Sequence, residues 1–104
     1  MQALTDLNLE LLRVFYTVAR LGSMTAASKA LFVTQPAISH AVSQLEDSLQ
    51  CRLFERVSRK LRLTDEGTTV FKAVQRMMQA LQDGERELQE VRAGKSSLLR
   101  IGCP

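Results

Sequence analysis

The stretch GSMTAASKALFVTQPAISHAVSQLEDSL, residues 22–49, decides the fold. Gly22 supplies a left-handed helix terminus at little steric cost. Ser23 follows as an N-cap, and a short helix is predicted over Met24 to Leu31. Its inward residues are Ala27, Ala30 and Leu31, the alanines allowing close approach to another helix. The link Phe32-Val33-Thr34 is only three residues long. Thr34 caps again, and Pro36 falls in the first turn, where its missing N–H costs nothing. The next helix runs from Gln35 to about Leu49. Ile38, Val42, Leu45 and Leu49 recur at i, i+4, i+7 and i+11, which puts them on one face. The other side carries Gln35, Ser39, His40, Ser43 and Gln44, and is almost uncharged until Glu46 and Asp47. Such a face suits hydrogen bonding to groups on a partner.

Upstream, Asn8 can cap a helix that ends at Leu21, with Leu9, Leu12, Phe15, Tyr16 and Ala19 at helical spacing. Downstream, LFERVSRKLRLT reads as a hairpin. Leu53–Arg56 and Lys60–Leu63 alternate, and Val57-Ser58-Arg59 links them. Two strands alone are marginal in water, so the ribbon must lean on the helices through Leu53, Phe54, Leu61 or Leu63. Thr64 caps a last helix with Asp65 and Glu66 in its first turn, where the helix dipole favours acids. This helix is predicted over 65–92, roughly 42 Å long, and too long to lie within so small a domain. Val70, Val74, Met77, Leu81, Gly84, Leu88 and Val91 form a heptad seam for pairing with a second copy. Packing against a domain outside these residues is the alternative. Gly84 is the weak point of the seam, either allowing close backbone approach or costing about 1 kcal/mol of propensity. Residues 93–104 read as a hinge, Lys95–Ser97, and the start of a further domain near Leu98-Leu99-Arg100-Ile101.

Charge separates these segments. Residues 1–50 carry three basic and four acidic side chains, and residues 65–104 carry six of each. Residues 51–64 carry five basic side chains and one acidic, a balance of +4, so the chain's whole positive surplus lies there. Aromatic residues make up 5% with no Trp, which argues against a stacking platform for single-stranded nucleic acid. One His and two Cys do not make a typical zinc site, and no nucleophile–base pair or glycine-rich phosphate loop appears, so an enzyme is not expected. No apolar run is long enough for a transmembrane span, and acids stand where a secretory leader needs a basic region, so the cytosol is the expected compartment. Cys51 reads as a small structural residue in preference to a redox sensor, although Arg52 beside it could lower a thiol pKa.

The order of elements is that of a mainly α winged helix-turn-helix, three helices and a two-stranded wing, over residues 1–64. In this mode the second helix of the pair enters the major groove and the wing reaches the backbone or minor groove. Gln and Ser can donate and accept at base edges, and a basic wing supplies attraction independent of sequence. A winged-helix protein-interaction module without specific DNA binding is the rival reading, since the fold alone does not guarantee function.

Residues 9–67 also resemble the N-terminal DNA-binding domain of LysR-type bacterial transcriptional regulators, and the likeness continues through the long linker helix to about residue 92. It is carried by Gly22-Ser23, Ala26-Ala27, Thr34-Gln35-Pro36-Ala37-Ile38-Ser39, Leu45-Glu46, Leu53-Phe54-Glu55-Arg56, and Leu63-Thr64 with Gly67. The resemblance implies a dimer or tetramer on interrupted palindromic promoter DNA. It also implies a C-terminal domain for a small effector, with no cofactor in residues 1–104. Carried over by position, Gln35, Pro36 and Ser39 lead the recognition helix, with Thr34, His40, Ser43 and Gln44 beside them. His40 stands where the family often has Arg. Arg56, Arg59, Lys60 and Arg62 fall on the wing, and Ser23 and Thr25 open the preceding helix as phosphate contacts.

Overall fold

The computed structural model describes residues 8–94, in the order α1 (Leu9–Leu21), α2 (Met24–Leu31), α3 (Gln35–Leu49), β1 (Phe54–Val57), β2 (Lys60–Leu63) and α4 (Asp65–Gly94). The expected hinge and strand at Lys95–Ile101 lie outside the described residues, as does Cys103. Local chemistry sets the breaks between helices. Asn8 Oδ1 accepts from the Glu10 N–H at 2.8 Å. Gly22, at φ 70°, ends α1 and returns its N–H to the Val18 carbonyl. The Ser23 and Thr34 hydroxyls accept from Ala26 and Ala37 N–H and so open α2 and α3.

Phe15, Val18, Ala27, Ile38, Leu45 and Leu53 are fully buried at the centre, with Leu12, Val42 and Phe54 around them. The hairpin joins this core from one side. Phe54 sets its ring 5.4 Å from that of Phe15, in a tilted arrangement. Leu61 and Leu63 are half-buried, so the wing does lean on the helices as its two strands require. Thr64 ties the exit of the wing to its entry. Its N–H donates to the Leu53 carbonyl, its hydroxyl donates to the Arg52 carbonyl at 2.6 Å, and the same oxygen accepts from the Gly67 N–H.

Three expectations change. The pairing begins at Phe54, not Leu53, and the turn is the two residues Ser58-Arg59. Leu53 is turned into the core instead, its N–H bonded to the Glu46 carboxylate. In α2, Ser28 is buried while Ala30 is exposed; Ala27, Ser28 and half-buried Leu31 make the inward face. Helix α4 ends at Gly94, within two residues of the predicted Arg92. Val70 and Val74, expected in the seam, are buried within the single chain, in a compact unit that reaches Val74. The reason is packing: Phe71 stacks on Tyr16 of α1 at 5.2 Å, which turns the first turns of α4 against the core.

From Gln75 onward α4 belongs to a second unit. Leu81, Leu88 and Val91 are exposed, Leu81 at 62%, as is Gly84, and Met77 is half-buried.

Candidate nucleic-acid interface

Helix α3 buries Ile38, Val42 and Leu45 and leaves Gln35, Pro36, Ser39, His40, Ser43 and Gln44 exposed. The exposed edge is thus the one its spacing predicts. The first turn of α2 lies against its leading end. Thr25 Oγ1 donates to Gln35 Oε1 at 3.2 Å, and the Ser39 hydroxyl donates to Met24 Sδ at 3.5 Å. Ser23 and Thr34 have structural work as caps, their oxygens each taking one backbone N–H. Each hydroxyl hydrogen remains to be donated.

The wing is antiparallel, with Val57 opposite Lys60 and Arg56 opposite Leu61. Ser58 and Arg59 both have positive φ, 51° and 68°, the conformation of a type I′ hairpin turn. Asn and Gly are the residues usually found there, so Arg59 is held at the tip at some conformational cost. Arg56, Arg59 and Lys60 line one side of an open cleft whose other side is Ser23, Met24, Thr25 and Gln35. Among the described residues no carboxylate lines it. Three cations facing two hydroxyls and an amide fit an anionic, hydrogen-bonding polymer. Arg62 is not in this cleft; it stands directly across the ribbon from Glu55.

Two contributors escape the sequence reading. Glu46 Oε2 accepts from the Leu53 N–H at 2.8 Å and the Phe54 N–H at 3.4 Å, with the Arg52 guanidinium at 3.8 Å. It fastens the start of the wing to α3, and so fixes where the basic residues stand. Its only signal was membership of the Leu45-Glu46 pair. Met24 is the other, and nothing in its type or position marked it as a partner for Ser39.

Cys51 is a free, half-buried thiol. Burial pushes its pKa up, and the Glu66 and Glu46 carboxylates push it in the same direction. Burial first, and these carboxylates after it, disfavour the thiolate, which opposes a thiolate sensor. Among the described residues no three His, Cys, Asp or Glu side chains gather as a metal site. No described helix is long and apolar enough to cross a membrane.

Comparison with known proteins now adds its findings. The family described as "Bacterial regulatory helix-turn-helix protein, lysR family" matches residues 9–68. The glycine cleavage system transcriptional activator of Escherichia coli (strain K12) is 43% identical over 90 residues, 86% of this chain and 29% of that protein. The chain therefore spans under a third of that relative's length. Among solved structures, the DNA-binding domain in the BenM_DBD/catB site 1 DNA complex superimposes with a TM-score of 0.76 at 26% identity, covering 90% of this chain and all of that one. Full-length CbnR complexed with its target DNA superimposes with a TM-score of 0.67 at 34% identity, over 78% of this chain and 28% of that one.

Proposed function

The chain belongs to the lysR family of bacterial regulatory helix-turn-helix proteins, and from that membership we propose that it is the DNA-binding part of a transcriptional regulator that recognises specific double-stranded sequences as a dimer. Helix α3 enters the major groove with Gln35, Pro36 and Ser39 leading, while His40, Ser43 and Gln44 follow along the same edge. Arg56, Arg59 and Lys60 grip the sugar-phosphate backbone or the minor groove, and Arg62 adds to the positive field. The observation that carries this reading is the shared cleft, where wing cations face the first turns of α2 and α3 without an intervening carboxylate. Base edges can be read by uncharged Gln and Ser, and cations supply the attraction that any sequence feels.

The exposed stripe Met77, Leu81, Gly84, Leu88 and Val91 pairs with a second copy, which doubles the phosphate contacts and fixes half-site spacing on an interrupted palindrome. In the whole protein a C-terminal domain binds a small effector, the assembly is a dimer or tetramer, and the protein acts in the bacterial cytoplasm. The DNA-binding part itself needs no cofactor and catalyses no reaction.

Salt dependence tests the reading against a winged-helix module that binds only protein. Duplex affinity should fall steeply as ionic strength rises, with a log–log slope reporting several phosphate contacts per dimer. Negligible duplex binding at every salt concentration would favour the interaction module.

A further inference from the structure

The two leading side chains of α3 are each held by a neighbour in the first turn of α2. Thr25 holds Gln35 through a hydroxyl-to-carbonyl hydrogen bond of 3.2 Å, and Met24 receives the Ser39 hydroxyl. Thr25 is anchored in turn. The hydroxyl of Ser28, a buried residue, donates to the Thr25 backbone carbonyl at 2.7 Å. A chain of contacts therefore runs from the buried side of α2 to the exposed tip of α3.

A carboxamide is planar, so fixing the direction of its oxygen also fixes that of its nitrogen. Gln35 Oε1 is turned to Thr25, and neither hydrogen on Nε2 has a partner among the described residues. A Gln that reads adenine uses both ends, its oxygen accepting from N6 while its nitrogen donates to N7. Guanine offers acceptors only at this edge, N7 and O6, and suits a side chain that presents its nitrogen alone. Resting on the DNA-reading role proposed above, we propose that Thr25 is a positioning residue for base recognition. It orients the Gln35 amide as a donor and so selects guanine over adenine at one position of each half-site. Thr25 acts through Gln35, not by touching a base.

The test compares the 104-residue chain with Thr25→Val, which keeps the shape without the hydroxyl, and Thr25→Ser, which restores the hydroxyl. Thr25 is exposed, so both changes leave the core untouched. Each form is taken through selection from a random duplex pool, then titrated on the selected site and its guanine-to-adenine variants. Wild type and Thr25→Ser should prefer guanine at one half-site position. Thr25→Val should lose about threefold to tenfold of that preference, the effect of one net hydrogen bond, with other positions unchanged. In the free chain, the NMR order parameter of the Gln35 side-chain amide should fall in Thr25→Val and recover in Thr25→Ser. A selected adenine at the Gln35 position would overturn the proposal. So would an equal loss of affinity on every sequence, which would make Thr25 a phosphate contact. If wild type enriches a motif but Thr25→Val enriches the same one with the amide order unchanged, the positioning role alone fails. If wild type enriches nothing, the DNA-reading role fails with it.

Discussion

Gly67 shows how closely one residue governs the placement of the wing. A Cβ built there would overlap the Leu53 carbonyl oxygen and press on the Leu63 side chain. The obstacle is backbone, which cannot swing aside, and that carbonyl already accepts from Thr64. Gly67→Ala should therefore cost about 3 kcal/mol, at the upper end for an overpacked site, although alanine is the better helix former. Urea unfolding reads this directly, and an unchanged midpoint would show that the helix can shift. Cys51 allows a titration at the same scale. Its thiol pKa is raised in the folded chain, so thiolate forms at higher pH there than after unfolding. The midpoint of alkylation rate against pH should accordingly lie above that of the urea-unfolded chain. A midpoint at or below the unfolded value would mean that Arg52 controls the thiol and would reopen a redox role.

Among the elements, the helices were the most legible, because their ends are written in side chains that act locally. Asn8, Gly22, Ser23 and Thr34 each satisfy or redirect backbone within three or four residues. Two other helix ends carry no such mark. Phe32 and Gln50 take the left-handed conformation at the ends of α2 and α3 without being glycine, and Phe32 does so while 93% exposed. The exposed edge of α3 followed from periodicity, but its contacts did not. Thr25 meets Gln35 across ten residues of sequence, and Glu46 reaches Leu53 across seven. Val70 and Val74 fit the heptad stripe equally well whether they face a partner or the chain's own core. Only packing, seen in the stack of Phe71 on Tyr16, separates the cases.

Two predictions belong to single elements. In the wing, Arg59→Gly relieves a left-handed residue in a type I′ turn and should stabilise the fold by about 0.5–1 kcal/mol. The same change should weaken DNA binding and flatten the salt slope by about one unit. Thermal unfolding beside DNA titration separates the two effects, and an unchanged slope would remove Arg59 from the phosphate contacts. In α4, Leu81 is exposed within the single chain. Leu81→Asp would place a charge in the proposed seam, so the variant should sediment as a monomer at micromolar concentration where wild type should sediment as a dimer. A dimer that persists would place the interface elsewhere.

At the scale of the whole molecule, charge and burial divide the work. The positive surplus of the sequence sits in residues 51–64, between residues 1–50, with three basic and four acidic side chains, and residues 65–104, with six of each. Most of those cations flank the cleft in which α2 and α3 present hydroxyls and an amide. On the proposed function, attraction and discrimination fall to different residues of one small unit, and the exposed apolar stripe of α4 is the reason to expect two such units together. The central claim is that paired copies read specific duplex DNA. Selection of bound sequences from a random duplex pool by the 104-residue chain tests it most directly. The expected result is enrichment of two related, inverted half-sites separated by about one helical turn or a multiple of it. A pool that stays random through successive rounds, or one that converges on a lone half-site, would contradict it.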